Sequence, residues 1–458
     1  PEAGEGGRHF AMSRTRAVAS RTFRSLRVRN YRLYFFGQII SVSGTWMQSV
    51  AQVWLVLHLT GSGVDLGLVT AAQFLPMLVL GAWGGVVADR LDKRRLLYGT
   101  QTVAGVLALT LGLLVVTGAV QLWMIFVLAG MLGFVNVIDN PARQTFVLEM
   151  VGRNELANAV SLNSVVMNSA RVIGPAIAGA LIVTVGIGIC FLINAGSYIA
   201  VIAGLALMRD SELNRGERVV RGKRQLRDGL AYVWGTRELR DPLLMMVVIG
   251  TFAYNFNITL PLMAKYVFHS GAGVYGAMSA LMGAGAVVGG LATASRAKPT
   301  PKALTAAALT FGLLMLGVSM APNLASEFAL LVVMGGASIF FISLANSTLQ
   351  LQAAPAMRGR VMALYAVAFL GSAPIGGPIV GAVAQLFGAR SSLMLGGTCT
   401  VIAALVSFMS MRNMRIRALA PAEPEPMGVA TSVVGMGLAT PVESRPVRRA
   451  SGPLEAKA

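Results

Sequence analysis

The chain is poor in charge and in the residues that build metal and redox centres. Asp, Glu, Lys and Arg together make up only 12% of its 458 residues, against ~25% in a soluble globular protein. That is too little charge to wet the surface of a chain this long, and a water-soluble fold is excluded. The two cysteines, Cys190 and Cys399, give no disulfide scaffold, no thiol pair and no zinc spacing. The three histidines, His9, His58 and His269, leave no basis for a histidine-built metal centre. No metal and no cofactor is expected. A Gly-x-x-x-x-Gly-Lys-Ser/Thr loop is missing, which argues against ATP-driven pumping. So is any Ser/His/Asp or clustered His and carboxylate set that an enzyme would need.

Apolar residues are plentiful, at 55%, and there are 52 glycines. A membrane helix takes about 20 largely apolar residues. On that criterion spans fall near 33–57, 64–88, 96–117, 121–142, 157–184 and 188–208, then 242–268, 273–294, 302–321, 327–352, 360–386 and 391–411. The expected fold is all-α and integral to a membrane, with twelve transmembrane helices in two six-helix bundles. The expected organisation is a basic arm (1–30), a first bundle (31–208), a central loop (209–240), a second bundle (241–412) and a disordered tail (413–458). Within the central loop, QLRDGLAYVWGTREL (225–239) is either an amphipathic helix on the membrane face or a solvated linker.

The net charge is +19, and its distribution points to lipid rather than nucleic acid. No cationic stretch carries interleaved aromatics. Lys and Arg gather in the arm, in the central loop, in the tail and after the even-numbered spans, as at Arg90, Lys93, Arg94 and Arg95. The opposite loops hold only Lys265 and Arg390. The positive-inside rule then places both termini in the cytoplasm.

The two halves echo each other. Arg153 to Gly179 and Arg358 to Gly381 each run from a basic start through an apolar helix to Gly-Pro, at Gly174-Pro175 and Gly377-Pro378. Asn140 and Asn346 stand at matching places upstream. Parallel six-span repeats are the plan of a transporter that rocks two bundles about a central site.

The stretch GVVADRLDKRR resembles the signature loop of the major facilitator superfamily at Gly85, Asp89, Arg90, Arg94 and Arg95, with Asp92 where the pattern has a later glycine. Gly174, Pro175 and Gly179 are similar to the Gly-Pro motif of drug and metabolite exporters. DNPARQTFVLEMV (139–151) and ANSTLQLQAAPAMRGRVMALY (345–365) resemble the bacterial exporter subfamily that includes the enterobactin exporter and macrolide efflux pumps. The resemblance implies the major facilitator fold and a bacterial cytoplasmic membrane. It implies export of drugs, siderophores or secondary metabolites, driven by the proton gradient through alternating access, by a monomer. Asp89 would form a conformational gate by meeting the helix that starts near Gly359-Arg360-Val361. An uptake permease or uniporter of the same fold is the alternative; a membrane enzyme or a transport-inactive sensor has less support.

Charges inside a membrane are costly and usually functional. Asp139 is the candidate for proton coupling, or else it pairs with Arg143 one helical turn on. Arg171, near the middle of the fifth span, could bind anionic or carbonyl-bearing cargo, or reach Asp139 from a different depth. Gln38, Trp46, Gln48, Gln52, Gln73, Asn136, Asn163, Asn168, Tyr254, Asn255, Asn257, Asn346 and Gln350 are candidate cavity walls, or interhelical hydrogen-bonding groups. Asp65, Glu327, Lys265 and His269 read as solvated caps at outer helix ends. Gly377 and Pro378, like Gly174 and Pro175, mark kinks or close packing.

Overall fold

The computed structural model describes residues 23–214, 225–296, 299–355 and 357–419. The arm as far as residue 22, part of the central loop (215–224) and the tail beyond 419 lie outside the described residues. No strand occurs among the described residues. The helices are α1 (Arg29–Thr60), α2 (Gly63–Arg90), α3 (Lys93–Val116), α4 (Leu122–Thr184), α5 (Ile187–Ala206), α6 (Gln225–Gly235), α7 (Arg237–Phe252) and α8 (Phe256–Leu262). They continue as α9 (Ala272–Arg296), α10 (Pro301–Ser319), α11 (Leu324–Gln352), α12 (Arg358–Leu370), α13 (Ala373–Phe387) and α14 (Ala389–Leu419).

Short polar residues set the boundaries. Ser62 accepts from the Asp65 amide at 3.1 Å and starts α2. Asp92 accepts from the Arg95 amide at 2.9 Å and starts α3. Asn323 and Ser326 form a reciprocal capping box on α11. Gly61 ends α1 in the left-handed region, at φ 66°. The 63 residues of α4 are two helices joined at Gly152, whose φ of 69° and ψ of 179° break the ladder. A side chain there would be strained.

Among the described residues, ten helical stretches are long and apolar enough to cross a membrane. The first predicted span, inside α1, is not among them by composition, because Gln38, Gln48 and Gln52 and several Ser and Thr dilute it. Two other spans are discontinuous. α7 and α8 are separated by Ala253-Tyr254-Asn255, and a π-turn, Met263–Val267, follows α8. α12 and α13 are separated at Gly371-Ser372, while helix continues through Pro175 and Pro378.

The described residues up to Arg412 form one compact unit. One end of the helices carries the basic turns. There Arg94 caps the last carbonyls of α5, donating to Leu205 O at 2.9 Å and Ala206 O at 3.1 Å, and meets Asp210 at 2.6 Å. α6 docks at this end: Val233 is buried, and the Tyr232 hydroxyl accepts from the Ala354 amide at 3.2 Å. Leu230 and Trp234 stay exposed.

At the opposite end the helices before residue 209 close against those after 236. α2 packs along α13, and α4 along α9. These crossings are made by glycine: Gly63 and Gly67 face Gly381 and Gly377, and Gly179 faces Gly273 and Gly276. Lys265 Nζ donates to Leu57 O at 2.8 Å, and the Tyr266 hydroxyl to Gly61 O at 2.6 Å. Toward the basic end the contact thins to α2 against α12.

A Cβ at Gly276 would sit 2.7 Å from both Gly179 Cα and Pro175 O. Gly276→Val is therefore expected to cost about 1–3 kcal/mol by overpacking, read as a lower melting temperature in detergent. Gly196→Ala, with nothing within 4 Å of the new methyl, should leave it unchanged.

Candidate substrate cavity and its buried charges

A cavity of about 440 Å³ opens among α1, α2, α3, α4 and α5, with α8 contributing Asn257. Its wall is unusually rich in amides for a membrane interior. Of the sequence candidates, Trp46, Gln48, Gln52, Gln73, Asn136, Asp139, Asn163 and Asn257 line it. The mixture of amides with Trp46, Phe74 and Met167 suits a ligand with both polar and apolar parts.

The most constrained group is Asp139, 1% exposed. Its Oδ1 accepts from the Thr100 hydroxyl and from Gln101 Nε2, both at 2.7 Å. Its Oδ2 accepts from Arg143 Nε at 3.1 Å and also from Arg143 Nη2. Arg143 Nη1 donates on to Gln38 Oε1 at 2.6 Å. Asp139 and Arg143 share a helical face four residues apart, acid first, the favoured order. The network ties α4 to α3 and α1. A buried carboxylate with this many donors is satisfied, whereas removing one partner leaves a charge stranded.

A second network sits nearby. Asn194 Nδ2 donates to Gln48 Oε1 at 2.5 Å, and the Ser197 hydroxyl to Asn194 Oδ1 at 2.9 Å. Gly44 leaves room for Asn194.

Arg171 does not meet Asp139. Its guanidinium lies over the Trp46 ring, 5.2 Å from the centroid, and its buried Nε has no hydrogen-bond acceptor. Gly174, one turn on, lets α4 approach the backbone of α1 at Ser43 and Met47.

The remaining candidates lie off this cavity. Gln38 is 2% exposed and serves Arg143. Asn168 donates to Ser164 O of its own helix, and Asn255, in the break after α7, to Thr251 O of that helix. The Tyr254 hydroxyl donates to Ser338 O at 2.7 Å, and its ring packs on Phe256, Phe311 and Phe369. Gln350 donates to Asn346 along α11. In the signature loop, Asp92 caps α3 and Arg94 caps α5, while Arg90 and Arg95 are exposed.

Two expected solvated caps are corrected. Glu327 is 0% exposed, and neither carboxylate oxygen has a hydrogen bond among the described residues. Asn323 and Ser326 do the capping instead, and Arg390, which lies within electrostatic reach, spends its donors on Ser319 O and Ala321 O. Lys265 caps α1 rather than its own helix.

Sequence reasoning missed Thr100, Gln101 and Asn194, and named Arg143 only as a pairing partner. The available signal was polar side chains interrupting the apolar third and sixth spans.

The family model described as "Transmembrane secretion effector" matches residues 20–434. Among similar proteins, the staphyloferrin A transporter of Staphylococcus aureus is 23% identical over 84% of this chain and 97% of its own length. The multidrug efflux pump Tap of Mycolicibacterium fortuitum is 27% identical over 79% and 91%. Macrolide efflux protein A of Streptococcus pyogenes is 23% identical over 82% and 96%. Among solved structures, a bacterial homologue of the human lysosomal transporter Spinster, inward-facing and unoccupied, superposes with a TM-score of 0.68 at 15% identity. It is matched over 86% of this chain and 99% of its own. The nucleoside transporter NupG gives 0.67 at 12% identity, over 84% and 99%. At these identities the structural likeness shows the fold.

Arg143→Ala should strand Asp139 and cost about 3–5 kcal/mol. The double change Asp139→Asn with Arg143→Gln removes both charges and should cost less than Arg143→Ala. Thermal unfolding of the purified variants checks the order.

Proposed function

The chain belongs to the transmembrane secretion effector family of major facilitator transporters, and on that premise we propose that it is a proton-driven exporter of small amphiphilic molecules, working as a monomer in a bacterial cytoplasmic membrane. Dividing α4 at Gly152 and adding α1 brings the ten apolar helices to twelve crossings. Six fall before the central segment and six after it, in two bundles. The basic end faces the cytoplasm by the positive-inside rule. The conformation is then open inward and sealed outward by the glycine crossings of α2 with α13 and α4 with α9.

The observation that carries the reading is the amide-lined cavity built around a buried, fully ligated carboxylate. Cargo enters from the cytoplasm and settles against Trp46 and the Gln and Asn side chains. Asp139 is the proton-exchanging group. As a carboxylate it holds Arg143, and through Arg143 it holds Gln38, joining α4 to α1. As a carboxylic acid it lets go of the guanidinium, and the helices that shared the charge are free to reposition. Proton entry and cargo exit are thereby linked to one rearrangement. Asp89 closes the basic end in the opposite state by meeting the first turn of α12, at Gly359-Arg360-Val361, where a helix N-terminus favours an anion. The stretch Gly174-Pro175 to Gly179, packed on α9, serves as the pliant part of the outer seal.

The test is transport in inside-out vesicles, with a compound panel and an imposed pH gradient. Wild type should accumulate cargo only with the gradient. Asp139→Asn, expressed at the same level, should lose gradient-driven accumulation at least tenfold while still exchanging cargo without a gradient. Full gradient-driven transport by this variant would contradict the assignment, and transport indifferent to the gradient in wild type would contradict proton driving.

A further inference from the structure

We propose that Arg171 is an anion-binding site at the edge of the cavity, behind the Trp46 ring, and that the exported amphiphile is accordingly an acid whose carboxylate, sulfonate or phosphate group sits on this guanidinium. The inference rests on the exporter reading and narrows its substrate class.

It begins from charge balance. Asp139 and Arg143 neutralise each other through two contacts on one oxygen. Glu327 lies at the first turn of α11 near Arg390, at the sealed end. Arg171 is left over: among the described residues no carboxylate comes within ion-pair distance of it, and no acceptor meets its buried Nε. A guanidinium carries five donors in a planar fork. A membrane protein places such a group where it has work to do, because an unpaired cation inside the bilayer is expensive. The Trp46 ring offers its face to the charge, which offsets part of that cost and satisfies none of the donors. Tyr254 is within electrostatic reach, but its hydroxyl proton is committed to Ser338 O.

Position makes the group available to cargo. Asn163 and Met167 line the cavity, as does Trp46; Arg171 is not part of that wall, but steps of four along a helix keep one face, so it lies one turn beyond Met167 on the same face, against the Trp46 ring. It is held there from two sides. Its backbone carbonyl lies 2.9 Å from where a Gly283 Cβ would be, on α9 of the second half, and Gly174 clamps the same stretch against α1. Part of the residue's surface remains exposed. An acidic amphiphile would place its oxygens on the fork, where bidentate contact is strongest, and lay its apolar body along Trp46. Because α4 and α9 meet at this residue, a bound anion bridges the junction that must move when the cavity changes sides. The sign also suits export, since a negative interior drives anions outward.

The test uses two fluorescent probes of the same shape, dansyl-phenylalanine and its neutral amide, with wild type, Arg171→Gln and Arg171→Lys in lipid nanodiscs. The acid should bind wild type at least tenfold tighter than the amide. Arg171→Gln should erase that preference, and Arg171→Lys should keep part of it. Without any probe, Arg171→Gln should be no less thermally stable than wild type, because it removes an uncompensated charge. A residue with a purely structural role would instead lower stability and leave the preference intact. Equal binding of the two probes by wild type, no binding of the acid up to millimolar concentration, or an unchanged preference in Arg171→Gln would overturn the proposal. Gradient-driven efflux of neutral compounds that survives Arg171→Gln would sink this inference alone and leave the exporter reading standing.

Discussion

A polar group placed in an apolar layer has to find its partner inside the protein. Much of this structure follows from how that demand is met. Backbone groups meet it by forming helix. Amide and carboxylate side chains meet it by gathering around a shared cavity, so that Thr100, Gln101 and Arg143 converge on Asp139 and Gln38 joins through Arg143, from three helices in all. The same groups that hold the helices together are the groups a solute would compete for. On the proposed reading, stability and transport draw on one set of hydrogen bonds.

Packing between helices obeys a different rule. Lipid tails are as apolar as leucine, so burial alone gives little reason for two membrane helices to associate, and close backbone approach matters more. The glycine crossings at the sealed end supply that approach. Gly67 against Gly377, and Gly179 against Gly276, bring main chains together without interlocking side chains. Such a contact is tight when closed and has little to disentangle when it opens. The polar ties at this end include Lys265 to Leu57 O, Tyr266 to Gly61 O, and the Ser62 hydroxyl and Val64 amide to Gln385 Oε1, all of them near helix termini.

Most of the fold was legible in the sequence because two of its determinants are one-dimensional: the length of apolar runs and the placement of charge. The signature loop was legible as well, and the structure accounts for its departure from pattern, since Asp92 serves as the N-cap of α3. The site was only half legible. Polar residues could be flagged by their presence in apolar helices, but not sorted. Tyr254 turned out to serve the backbone of α11 and Asn255 that of the interrupted α7–α8 span, while Gln101 and Asn194 formed the networks. Which way a polar side chain faces depends on helix rotation, and in a span apolar on all sides the pattern does not fix that rotation. Glu327 illustrates the same limit. A glutamate four residues after a capping asparagine reads as solvated, yet packing leaves it 0% exposed. The break at Gly152 was invisible as geometry, although the basic residues around it marked a boundary between spans.

The claim on which the account turns is that the molecule opens at one end only as it closes at the other. Double electron–electron resonance measures this directly, in a background without Cys190 and Cys399. One spin-label pair would sit at Leu91 and Arg358 on the basic end, the other at Leu59 and Leu386 on the sealed end, across a pH titration in nanodiscs. The account predicts opposite changes, the first pair shortening in the population in which the second lengthens. Two distances that move together, or that never move, would contradict it.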